Sequence, residues 1–261
     1  ANANPHLKKS NGSNAVMIAS YFGNYEVVEL LISKGVDYKY QREDGWNTFM
    51  FGCKNGHIQI VELLLKEQVD PNVQNKNGWN AFMLACQNGH TQIVKLLLKE
   101  QVDPNVQEKD GWNAFMLACL NGHTQIVELL LKEHVDPNVH NRKGHTALMA
   151  ASAKGHYKVA KLLLEWKADP TIKSNEGYTA ISLSKDSDIS ALIHSYMYKK
   201  GNPKLEEDAA SVYSFESHRT VSSGYHTASD ISSVRTYPST LTLDSVKEDS
   251  EDETYVEVID A

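Results

Sequence analysis

Glycine recurs at positions 12, 45, 78, 111, 144 and 177, a spacing of 33 residues held five times running. Much of the surrounding sequence recurs with it. Residues 78–105 and 111–138 differ at only three pairs of positions, Gln87/Leu120, Lys95/Glu128 and Gln101/His134. A fixed period of roughly 20–50 residues means one small supersecondary unit stacked on copies of itself. Each copy must therefore bury two faces, one against each neighbour. Stacking builds an extended surface, which suits holding another macromolecule better than housing a reaction.

Charge divides the chain in two. Residues 1–200 carry 22 Lys/Arg against 20 Asp/Glu, whereas residues 201–261 carry 4 against 13, which gives nets of +2 and −9. Nothing in the first part has the clustered basic residues of a nucleic-acid footprint. No apolar run approaches the roughly 18 residues of a membrane span, and no signal-peptide pattern opens the chain. A soluble, non-exported protein is expected. Ala3-Asn4-Pro5 stands one period before Val36-Asp37-Tyr38 and two before Val69-Asp70-Pro71. The chain is therefore expected to begin inside an earlier unit, at residues 1–11, and to be part of something longer.

Cys53, Cys86 and Cys119 share one repeat position, each four residues before His57, His90 or His123. The pairs superficially resemble metal ligands. Packed helices lie about 8–10 Å apart, and a disulfide wants Cα atoms within about 7 Å. Stacked equivalent cysteines are thus poorly placed to pair, and free cysteine behaves as a small buried hydrophobe. No metal site is expected, and reduced thiols suit a cytoplasmic or nuclear protein.

Residues 78–110 serve as the type unit. Asn77-Gly78 signals a turn, and Asn80 is a good N-cap because its side-chain oxygen accepts an orphan helix N–H. A short helix is expected from about Ala81 to Asn88, with Phe82, Met83, Ala85 and Cys86 on its apolar face. Gly89 ends it in a left-handed conformation. A second helix is expected from about Thr91 to Lys99, where Ile93, Val94, Leu96, Leu97 and Leu98 form a stripe too broad for one-sided packing. Val102-Asp103-Pro104-Asn105 forms the connecting loop.

This pattern resembles the ankyrin repeat, with its Gly-His step, its Leu-rich second helix and its 33-residue period. The Gly-His pair stands at Gly56-His57, Gly89-His90, Gly122-His123 and Gly155-His156. The resemblance implies an all-α solenoid of helix-turn-helix units over residues 12–200, with a shorter closing unit from Gly177. That last unit has Asp188-Ile189 in place of Gly-His, and its Ser190, His194 and Ser195 suit a cap facing water. Two departures stand out. The family's Thr-Pro-Leu-His reads Asn80-Ala81-Phe82-Met83 here, and similarly at the other units. Its glycine after the second helix survives at Gly35 but is replaced by Gln68, Gln101, His134 and Lys167.

The residue after each turn glycine is Trp46, Trp79, Trp112, His145 or Tyr178. These make one ladder along the array. Such side chains either pack on neighbouring turns or form a contact strip. In similar ankyrin proteins this position faces the partner, and tryptophan and tyrosine dominate interface hot spots, so the contact reading is preferred. The turn tips add Arg42, Glu43, Asp44, Lys76, Lys109, Asp110, Arg142 and Lys143, of mixed charge.

From Gly201 the period disappears. Of the 61 residues, 17 are Ser or Thr and only 12 are Leu, Ile, Val or Phe, too few to offset chain entropy, so a disordered tail is expected over residues 201–261. Ser245, Ser250 and Thr254 lie among acidic residues that suit acid-directed kinases. Tyr255 reads as a tyrosine-kinase site able to feed a phosphotyrosine-binding domain.

No catalytic constellation appears: no phosphate-binding Gly-rich motif, no Gly-x-Ser-x-Gly and no His-Glu-x-x-His. A non-catalytic, cofactor-free, monomeric scaffold or adaptor is expected, holding a protein partner on its concave surface. Neither nucleic acid nor membrane is expected as a partner. One alternative is a regulatory inhibitor masking a transcription factor, since an array followed by an acidic segment resembles the architecture of the inhibitors of nuclear factor kappa B. Another is the regulatory region of a larger kinase, channel or death-domain protein.

Overall fold

A computed structural model describes residues 4–201, with side chains to residue 198. The acidic segment and its candidate phosphorylation sites Ser245, Ser250, Thr254 and Tyr255 lie outside the described residues. Twelve α-helices follow in order among those that are described: α1 Ala15–Tyr21, α2 Tyr25–Ser33, α3 Thr48–Lys54, α4 Ile58–Lys66, α5 Ala81–Gln87, α6 Thr91–Lys99, α7 Ala114–Leu120, α8 Thr124–Lys132, α9 Ala147–Lys154, α10 Tyr157–Glu165, α11 Ala180–Leu183 and α12 Ser187–Gly201. Odd helices pack on odd and even on even, and each odd helix packs on the even helix that follows it. The result is two parallel layers of antiparallel helix pairs.

Local chemistry explains each helix start. The Asn80 side chain accepts the Met83 backbone N–H at 2.9 Å, and Asn14, Asn47 and Asn113 do the same for Met17, Met50 and Met116. Thr146 takes the role at α9, at 3.3 Å from Met149 N. The odd helices are short but almost wholly buried: every residue of α7 is inside. That burial, rather than helix propensity, holds seven-residue helices together. The even helices bury a narrower stripe than the sequence pattern suggests. Ile93, Val94 and Leu97 are buried in α6, whereas Leu96 and Leu98 are half-exposed.

Between units the chain forms a short finger closed by an isolated β-bridge, such as Gln74↔Asn80 or Gln107↔Asn113. Adjacent fingers are bonded through the backbone. Lys76 N–H donates to the Asp44 carbonyl at 2.8 Å, and Lys109, Arg142 and Asn175 donate likewise to Asn77, Asp110 and Lys143 at 2.9 Å. A second inter-unit link comes from the Gly-His step. Nε2 of His57, His90, His123 and His156 lies 2.8–3.0 Å from the carbonyls of Tyr21, Lys54, Gln87 and Leu120, each 36 residues earlier. A carbonyl can only accept, so Nε2 carries the proton. A Cβ on Gly89 would sit 2.7 Å from the His123 ring, so that glycine serves its neighbour's histidine as well as its own turn.

The three cysteines are free and fully buried. Burial pushes each thiol far above its ordinary range, which keeps it a neutral thiol rather than the reactive thiolate. The closing unit differs from the others. Its first helix, α11, has four residues, while α12 runs to fifteen, packs on α10 and α11, and has Ile189 and Ile193 buried. His194 and Ser195 are exposed and Ser190 is half-buried.

The positions that lost the family's glycine keep its backbone. Gln68, Gln101, His134 and Lys167 have φ of 58°, 57°, 61° and 65°, beside 74° at Gly35. A left-handed non-glycine residue costs about 1–2 kcal/mol. Because Gln101 is exposed, Gln101→Gly removes that strain with little packing loss. The substitution is expected to stabilise the array by about 0.5–1 kcal/mol after the larger unfolded-state entropy of glycine is subtracted. Urea unfolding of the two chains checks this, and a lower midpoint for the glycine variant would refute it.

Candidate interaction surface

The finger sets the backbone of the ladder position. At Trp79 the backbone N–H donates to Asn75 Oδ1 at 3.0 Å and the carbonyl accepts from Asn75 N at 2.8 Å. Trp112 is held by Glu108 in the same way, His145 by Asn141 and Tyr178 by Ser174. Trp46 departs slightly, its N–H turning to Asp44 Oδ1. An acceptor side chain at the start of each of the last four fingers therefore fixes the ladder residue and explains why Glu108, at 7% exposure, is buried despite its charge.

The side chains do not form the uniform contact strip expected from the sequence. Trp112 is 1% exposed, and Trp46 and His145 are each 9% exposed. Only Trp79 and Tyr178 are half-exposed. The buried members are taken up in packing: the Trp46 ring, for one, stacks on the Phe51 ring with centroids 5.0 Å apart. Burial also pushes the His145 imidazole below its ordinary pKa, with Lys143 adding to the effect and Glu176 opposing it. His145 Nδ1 and Trp112 Nε1 are buried without hydrogen-bond partners, as suits side chains placed for packing.

The turn tips fare differently. Glu43, Lys76, Lys109, Asp110, Arg142 and Lys143 are exposed, and they project in a row from consecutive fingers. Arg42 and Asp44 are half-buried and ion-paired with each other, and Arg42 Nη1 also donates to Ser13 Oγ at 3.2 Å. The tips thus carry mixed charge on a regularly repeating frame.

One group escaped sequence reasoning. At the first two units the rings of Phe22, Tyr21, Phe51 and Trp46 run in continuous contact. Their centroids are 5.1, 5.9 and 5.0 Å apart in turn, the last pair stacked at 24°. Lys54 Nζ stands 5.4 Å from the Trp46 ring and the Arg42 guanidinium 5.9 Å from the Phe51 ring. A signal for it lay in the repeat itself. The place of Phe22 is taken by Asn55, Asn88, Asn121 and Lys154 in later units, and that of Tyr21 by Lys54, Gln87, Leu120 and Ala153.

Among the described residues no group of His, Cys, Asp and Glu could hold a metal ion, and no helix is long and apolar enough to cross a membrane. A family model described as ankyrin repeats in three copies matches residues 1–75, 49–138 and 82–174. No curated protein matches the chain.

Proposed function

Because the chain belongs to the ankyrin repeat family, whose members typically act as non-catalytic modules of protein–protein interaction, we propose that it is a scaffold or adaptor that holds a protein partner along its turn tips. The observation that carries this is the contrast between frame and tip. The helices of the third and fourth units are near copies, yet their exposed tips read Lys76-Asn77 and Lys109-Asp110, and the next reads Arg142-Lys143. A constant frame that presents changing exposed charges is suited to recognition, because charge pattern sets specificity and register at an interface. Trp79 and Tyr178 supply half-exposed aromatic surface beside the tips, the residue class that dominates hot spots. The same reading places the protein in the cytoplasm or nucleus, where its thiols stay reduced, and makes the acidic segment a phosphorylation substrate.

A photo-crosslinking amino acid placed at Lys109 in the full chain, compared with one at Gln92 on the exposed side of α6, tests the surface in cell extract. A discrete adduct is expected from position 109 and not from 92, lost on charge reversal of Arg142. Equal adducts from both positions, or adducts from 92 alone, would refute the assignment.

A further inference from the structure

We propose that the aromatic series at the first two units is an anchoring site for an acidic, apolar peptide segment of the partner, in which one large apolar side chain seats on Phe22 and Tyr21 and a neighbouring carboxylate meets Lys54. The inference rests on the reading of the turn side as the partner-binding surface, and names the chemistry recognised at one end of it.

Three observations converge. Phe22 is 61% exposed on the C-cap of α1, at a position where the later units carry asparagine or lysine. The repeat therefore does not call for an apolar side chain there, and its exposure stands apart from the packing requirements of the stack. Phe22 is also not isolated. Every aromatic ring pair found among the described residues belongs to this series, which links it through Tyr21 and Phe51 to Trp46 of the ladder. Aromatic rings locked by edge and face contacts offer a large apolar area at small entropic cost on binding.

Charge then selects the occupant. The Asn55 side chain and the His57 ring both bond the Tyr21 carbonyl, at 2.9 and 3.0 Å, which ties the start of the second unit's Gly-His step to the end of α1. Lys54 precedes them directly. It forms no ion pair among the described residues, and its ammonium lies over the Trp46 ring. The carboxylate of Asp44, by contrast, is already engaged by Arg42. An incoming carboxylate thus finds a cation poised on an aromatic face, with both partly desolvated, which strengthens the attraction over that in open water. A lysine-rich segment would meet repulsion at the same place.

The test uses the full chain and two fluorescently labelled twelve-residue peptides, one alternating glutamate with phenylalanine and leucine, the other with lysine in place of each glutamate. Anisotropy titration is expected to show the acidic peptide binding at least tenfold more tightly than the basic one. Phe22→Asn installs the side chain the later units use and so leaves the fold intact. It is expected to weaken the acidic peptide at least tenfold, as is Lys54→Glu, while Lys54→Arg retains binding. Equal affinity for the two peptides, no binding of either, or acidic-peptide binding unchanged by both Phe22→Asn and Lys54→Glu would overturn the inference. Those failures are distinguishable from failure of the tip assignment. The latter is read from the position-109 adduct, which Phe22→Asn does not touch chemically.

Discussion

Trp112→Ala is expected to destabilise the array by about 3–5 kcal/mol, the usual cost of truncating a fully buried large aromatic side chain. Trp112 is 1% exposed, and its indole N–H has no acceptor, so truncation strands no partner and the loss is one of packing. Trp79 occupies the same place one unit earlier but is half-exposed, and Trp79→Ala should cost less than half as much. Urea denaturation of both variants measures the difference. A stable Trp112→Ala chain would mean that the neighbouring fingers collapse onto the vacated space, and would return that side chain to the contact role expected from the sequence.

Gly111→Ala should be nearly as damaging for a different reason. Its φ is +86°, and a Cβ built there would lie 2.7 Å from the Arg142 backbone nitrogen and 3.0 Å from the Asn141 Cα. The left-handed conformation costs an alanine about 1–2 kcal/mol, and pushing the next finger away adds about 1–3 kcal/mol of strain. The displaced atom is the donor that bonds the Asp110 carbonyl at 2.9 Å, so the inter-finger bond is lost too. Gly177→Ala provides the control. It has the same φ of +86° but nothing within 4 Å of the new Cβ, and should show the conformational cost alone. A loss of about 3 kcal/mol for the first and about 1 kcal/mol for the second is the expected pattern. Equal losses in thermal unfolding would mean that the finger contact contributes nothing.

Those two residues also show how far the sequence could be read. The 33-residue period, the Asn80 cap and the glycine turns are local signals, and helix pairs with those caps form where the pattern places them. The left-handed backbone at Gln101 was legible too, because the residue's place in the repeat, rather than its own propensity, determines its path. The burial of Trp112 was not. Trp79 and Trp112 stand in nearly identical units, yet one is half-exposed and the other buried, a difference that no pattern within a single unit contains. The aromatic series was missed for a related reason. Phe22 and Tyr21 are neighbours in the chain, but Phe51 and Trp46 reach them only across the stack. Reading down equivalent positions, rather than along the chain, would have exposed Phe22 as the odd member of its column.

The junction between units has a consequence for how such a chain can change in length. Each interior junction uses the same two links, a finger N–H to a carbonyl of the previous finger and a histidine Nε2 to a carbonyl 36 residues back. Both acceptors are main-chain atoms, present whatever side chain the unit carries. A copied or deleted unit therefore meets neighbours that already fit it, and no compensating substitution is needed at either seam. The near identity of residues 78–105 and 111–138 is what such growth leaves behind. Reach along a partner can then be adjusted in whole-unit steps, while tips such as Lys76, Lys109 and Lys143, whose bonds to the adjacent finger run through backbone atoms, are free to diverge one by one.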